Sequence, residues 1–432
     1  MTVSKRNRTV SVIYFIVVML TLVLRIVFSL GLPQYVPMPS SYLFALIVQV
    51  FIFGIVPFSA YLLTHYTFSD GTLPPIKSLA FRFGLTKRVS GKNWARTVAI
   101  TLLMIFTTTF LSWMWQSALS AFGFVQPSTP TEYTDLGVLF LELLTVAVLP
   151  AFFEEFTHRG LLFAGFKTNN LKDGWKLILI SSLLFSLMHQ NIRQTGYTFY
   201  DGIIMGLLCY YTGSLYPSIF AHFVNNAFSV LSEFFEQKGT FDFITRAYNW
   251  LLSSFGGFAV FLTSFIAATI LLVVLLWRMR KDFIKEQSDI RITRAIADGT
   301  LSLRESDEQN AQNADKWAEA QYLLENGLSG AEVIKRVNGG DFLLGQIEKQ
   351  NELSVASNQT DGDLQTDGND EEIQDAKPKK SAMHPVTKLT LPDDFTRDFG
   401  ERGRAQKQLF LYVTIAAGVV CAVLSLIWGL IK

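Results

Sequence analysis

A chain of 432 residues in which 50% of side chains are hydrophobic, 14% aromatic and only 17% charged falls outside the ordinary soluble globular class and reads as a polytopic membrane protein. Its formal net charge of +1 hides a segregation: basic residues flank apolar runs and acidic ones collect in one late polar region, so no basic face points to nucleic acid. Cys209 and Cys421 both fall in apolar segments, which argues against a disulfide framework or a cysteine-based metal site.

The basic residues Lys5, Arg6 and Arg8 precede an apolar run that ends near residue 32. It is too long for a signal-peptide core and lacks a small-residue cleavage site, so it is expected to be a retained first span. Further segments long enough to cross a hydrocarbon core of about 30 Å follow at 42–65, 94–118, 136–166, 175–195, 197–216, 217–235 and 251–279, with one more at 408–431. The expected fold class is all-α: a polytopic membrane helical bundle of about eight spans, a cytoplasmic polar region and a C-terminal membrane helix. Lysine and arginine crowd the loops after the second, fourth and eighth segments, whereas the loop 119–135 has neither. That pattern predicts an integral protein of the cell membrane with its N-terminus in the cytoplasm.

The domain organisation expected is a membrane domain over 1–281, a cytoplasmic polar region over 282–406 and the C-terminal transmembrane helix over 407–432. Within the polar region, residues 312–350 have helical spacing, and Ser329 three residues before Glu332 has the form of a capping box. Residues 351–385 are rich in Asp, Gln, Asn, Ser and Thr and read as a disordered linker. The region 282–406 is also where a cytoplasmic partner would dock.

Three polar clusters interrupt the apolar segments. The first lies in Phe152–Gly160, FFEEFTHRG, where Glu154, Glu155, His158 and Arg159 stand at membrane depth. Even lenient insertion scales charge about 2.5 to 3.5 kcal/mol for an ionised residue there, so the carboxylates need a use. Four-residue spacing puts Glu155 and Arg159 on one helical face as an ion pair. Glu154 lies about 100° around the helix and is left free to accept a proton, as a general base must; His158, four residues on, is expected to pair with it. The second cluster is Phe185 and His189, followed by Gln190 and Asn191. In the third, His222 and Asn226 share a face and offer hydrogen-bond donors to an oxyanion.

Each cluster has a plainer explanation, since polar side chains also fasten membrane helices together. A catalytically silent scaffold or immunity factor would need nothing more, and a proton-relay transporter would use the same groups. Glutamate with two histidines can hold catalytic zinc, but the H-E-x-x-H helix is absent. A serine nucleophile is weaker again, because no G-x-S-x-G occurs and Ser186 and Ser229 merely neighbour histidines. Convergence of three clusters on three segments favours function.

The patterns E-E-x-x-x-R (Glu154, Glu155, Arg159), F-x-x-x-H (Phe185, His189) and H-x-x-x-N (His222, Asn226), in this order, resemble the CPBP intramembrane glutamic proteases. That family includes the type II CAAX prenyl endopeptidases and bacteriocin-processing or self-immunity proteins. The resemblance covers about residues 130–235 and leaves the region after Asp282 as an addition. It implies a metal-independent intramembrane endopeptidase without cofactor, acting on a membrane-associated protein or peptide in the lipid bilayer. By the same resemblance Glu154 with His189 activates a water, His222 and Asn226 stabilise the oxyanion, and Glu155, Arg159 and Phe185 support the site.

Overall fold

The computed structural model describes residues 3–29, 40–68, 76–125, 131–165, 171–240, 242–297, 323 and 409–431. The helical unit expected at 312–350 and the linker at 351–385 lie outside the described residues, Leu323 apart. Two compact units divide the chain, Met1–Arg280 with Asp393–Lys432, and Lys281–Pro392. The site belongs to the first.

The described residues form helices joined by short turns and loops and contain no strand, as an apolar solvent requires of a chain that must satisfy its own backbone. In chain order the helices are α1 (Val3–Ser29), α2 (Ser40–Leu46), α3 (Val56–Phe68), α4 (Ile76–Arg82), α5 (Gly91–Ala121), α6 (Leu136–Glu142), α7 (Leu149–Glu155) and α8 (Leu162–Gly165). They continue with α9 (Leu171–Met188), α10 (Ile192–Thr212), α11 (Tyr216–Gln237), α12 (Asp242–Ser253), α13 (Phe255–Ala297) and α14 (Leu409–Ile431). Three π-helical stretches, Ile47–Ile55, Leu143–Val148 and Phe156–Leu161, join α2 to α3, α6 to α7 and α7 to α8 without breaking the rod.

Five helical stretches among the described residues are long and apolar enough to cross a membrane: Thr9–Phe28, Ser41–Thr67, Gly91–Ala121, Leu136–Ala164 and Phe255–Ile284. Of the other segments expected to span, Gly174–Met188 and Tyr412–Ile427 are shorter apolar helices. Helices α10 and α11 carry Arg193, Asp201, His222, Asn225, Asn226 and Glu233, which lowers their hydropathy. Hydropathy therefore does not single out α10 and α11 among the described residues. Along α13 an exposed stripe of Ile266, Ile270, Val273 and Trp277 recurs every three or four residues, a face suited to lipid. The opposite face packs on α5, where the rings of Phe110 and Phe265 stack at 4.3 Å.

Local signals explain several helix ends. Asp135 opens α6 by accepting from the backbone N–H of Gly137 at 2.6 Å and Val138 at 3.1 Å, and these bonds hold its carboxyl below the usual carboxylate range. Gly213 ends α10 with φ +65, a left-handed conformation that costs glycine little. Inside α10, a Cβ at Gly202 would stand 3.0 Å from Ser182 Cα, so the missing side chain lets α10 lie close against α9. Helix α14 packs against α1, α9 and α10, far from its position in the sequence.

Candidate active site

Glu154 and Glu155 end α7, immediately before the π-helical stretch Phe156–Leu161. Such stretches leave carbonyls poorly matched within their own helix, and neighbouring hydroxyls take them up. Tyr14 Oη donates to Thr157 O at 2.9 Å, and Ser181 Oγ donates to His158 O at 3.1 Å. Thr157 Oγ1 in turn donates to Phe53 O at 2.7 Å, tying this stretch to the one at Ile47–Ile55.

The two carboxylates face different surroundings. Glu155 has no exposure, and its Oε1 accepts from Arg159 Nη1 at 2.6 Å and from His222 Nδ1 at 3.0 Å. Ser218 Oγ donates to the other oxygen of the same carboxylate. Arg159 extends the network: Nη2 donates to Gly202 O at 3.0 Å, and its guanidinium lies over the Phe185 ring at 4.6 Å. The acid, the base, the imidazole and the hydroxyl thus satisfy one another away from water, as buried charge demands.

Glu154 faces a cavity of about 1350 Å³ whose wall includes Phe185, His189, Asp201, His222 and Asn226. The structure therefore brings Glu154, His189, His222 and Asn226 to one space, with Glu155 and Arg159 buried behind it. Gln49 Nε2 donates to Glu154 Oε1 at 2.6 Å. His158 does not pair with the Glu154 carboxylate, contrary to expectation. Its Nδ1 donates to the Glu154 backbone carbonyl at 2.7 Å, because four-residue spacing brings that carbonyl as close as the side chain.

Phe185 stands among the imidazoles, with ring centroids 5.0 Å from His189, 5.5 Å from His222 and 5.3 Å from His158. One aromatic ring thus sets the spacing of the site's cations and imidazoles. His189 is not inside a helix, as the span at 175–195 implied. Helix α9 stops at Met188, and His189 opens a short turn in which Gln190 has φ +49. Gln190 and Asn191 are not cavity ligands: Asn191 caps α10, accepting from Arg193 N at 3.1 Å.

Ring orientation follows from the acceptors. His189 Nδ1 meets Phe185 O at 2.8 Å, and a carbonyl only accepts, so that nitrogen carries hydrogen and the neutral ring keeps its lone pair at Nε2. His222 uses Nδ1 on Glu155, which leaves Nε2 as its free ring nitrogen. Asn226 Nδ2 donates to Val146 O at 2.8 Å, and the amide retains a second N–H. Among the described residues no group of three or more His, Cys, Asp or Glu is arranged to hold a metal ion.

Gln49, Ser218 and Asp201 were missed from the sequence. Gln49 is the lone polar residue of ALIVQVFIFG, and Ser218 shares the four-residue register of His222 and Asn226, so both left a signal. Asp201 is 3% exposed, lines the cavity and accepts from Thr108 Oγ1. It is a lone acid in an apolar helix.

The fold is that of an α-helical integral membrane protein, with a cavity whose wall includes Glu154, His189, His222 and Asn226. Residues 136–228 match a family model described as type II CAAX prenyl endopeptidase Rce1-like. The matched residues contain all three motifs. No curated protein and no solved structure matches the chain.

Proposed function

We propose that the protein is an intramembrane endopeptidase that hydrolyses a peptide bond of a membrane-associated protein or peptide through a glutamate-activated, metal-independent water. The observation that carries this reading is the meeting of Glu154, His189, His222 and Asn226 in one cavity. Glu154 with His189 takes a proton from water as its oxygen attacks the substrate carbonyl carbon. The second Asn226 N–H stabilises the tetrahedral oxyanion, joined by His222 as the imidazolium, with one N–H on Glu155 and the other on the oxyanion. Collapse breaks the C–N bond, and the proton held by Glu154 passes to the leaving amine. Gln49 orients the Glu154 carboxylate, while Glu155, Arg159 and Phe185 hold His222 and His189 in place.

The cavity exceeds the roughly 300–1,000 Å³ of small-molecule pockets, which suits an extended peptide. In this reading residues 1–281 form the protease domain, with the N-terminus in the cytoplasm and the site in the cell membrane. Residues 282–406 form a separate cytoplasmic region. Purified protein is tested against a reporter membrane peptide: Glu154→Ala and His189→Ala are expected to abolish cleavage, and wild-type rates in either would sink the mechanism. Activity is expected to survive a chelator; loss restored by added zinc would favour a metalloprotease.

A further inference from the structure

The His189 turn is held largely by helices distant in sequence. Gln190 sits at φ +49, strained for a residue with a side chain, and neither polar atom of its buried amide has a hydrogen-bond partner among the described residues. The imidazole hangs from Phe185 O, so its direction depends on where the backbone of this turn is placed. Helix α1 reaches the turn through Arg25, whose Nη2 donates to His189 O at 3.3 Å. Helix α14 grips both flanks. Before the turn, a Cβ at Gly418 would stand 2.7 Å from Leu187 Cβ, so glycine lets the helices meet there. After it, the N–H of Ile192 donates to Ser425 Oγ at 3.3 Å, which satisfies an otherwise orphaned amide at the start of α10.

From this we infer that the C-terminal helix α14, outside the family-matched segment, is a positioning element for catalysis, with Ser425 and Gly418 fixing the turn that carries His189. The inference rests on the reading of His189 as part of the water-activating pair. A helix that merely adds bulk to the bundle would influence folding; α14 seats a catalytic ring by holding Leu187 and Ile192 on either side of it. Docking of α14 is thereby coupled to activity.

The test uses full-length purified protein and reports kcat, KM and Tm together. Gly418→Leu, which must push Leu187 away, is expected to lower kcat at least about tenfold with KM changed less than about twofold, a loss larger than the fall in folded fraction that overpacking brings. Adding Leu187→Ala to Gly418→Leu is expected to restore most of kcat by exchanging the sizes. Ser425→Ala is expected to lower kcat about threefold, less than the full misplacement, and Ser425→Thr, which keeps the hydroxyl, to keep the rate. The inference is overturned by wild-type kcat in Gly418→Leu and Ser425→Ala. It is also overturned by a loss that follows the folded fraction and ignores the size exchange. If Gly418→Leu does not fold, the Ser425 pair decides alone. Glu154→Ala and His189→Ala run alongside: inactivity there with full activity in the α14 variants removes only the role of α14, whereas activity there removes the reading of the site itself.

Discussion

Glu154 and Glu155 are neighbours in the chain and differ in almost everything else. Glu155 has no exposure and is saturated by Arg159, His222 and Ser218; Glu154 is 8% exposed, bonds to Gln49 and faces the cavity. A fully buried carboxylate that already accepts from three donors has little left to offer a substrate, whereas one at a cavity wall held by a neutral amide stands where water can reach it. The contrast separates stability from chemistry within one helical turn.

The largest effect expected is on the cavity side. Glu154→Ala removes the proposed base and should cost about 10²–10⁴-fold in kcat with the Tm of the protein retained; kcat and Tm of the purified variant check this. On the buried side the loss falls on stability. Arg159→Leu strands the Glu155 carboxylate, and breaking such a pair typically costs about 3–5 kcal/mol, read as a lowered denaturation midpoint. Normal stability in that variant would erase the distinction between the two acids. Asn226→Ala, which removes an N–H from the proposed oxyanion site, should lower kcat about 10²-fold and leave the denaturation midpoint close to wild type.

Smaller changes sharpen the comparison. Gln49→Leu leaves the Glu154 carboxylate without its orienting amide and should reduce kcat about tenfold through misplacement, measured on the same peptide. The least effect is expected far from both acids. Asp135 caps α6 with its folded carboxyl held below the ordinary value, so its contribution is present above the unfolded pKa of about 3.9 and is lost as pH falls through the folded value. The stability gap between wild type and Asp135→Ala should therefore shrink on acidification, as denaturation at a series of pH values would show.

Much of this arrangement is legible in the amino-acid sequence. Helical spacing alone pairs Glu155 with Arg159 and separates Glu154 from both, because the relation is local and i, i+4 geometry is common to all helices. What the sequence leaves open is long-range. Gln49 reaches Glu154 across 105 positions, and Ser425 reaches Ile192 across 233; neither contact has a local signature. The end of α9 was also misplaced, since Phe185 to Arg193 continues without a glycine or proline to mark the turn. His158 shows the limit of spacing itself, because the position four residues back offers both a side chain and a carbonyl.

Side-by-side measurement of peptide hydrolysis and thermal unfolding for Glu154→Gln and Glu155→Gln tests the central claim most directly, because each replacement is nearly isosteric and removes one charge. The account predicts that Glu154→Gln unfolds like wild type and fails to cleave, while Glu155→Gln unfolds at a lower temperature. Cleavage at the wild-type rate by Glu154→Gln would contradict it.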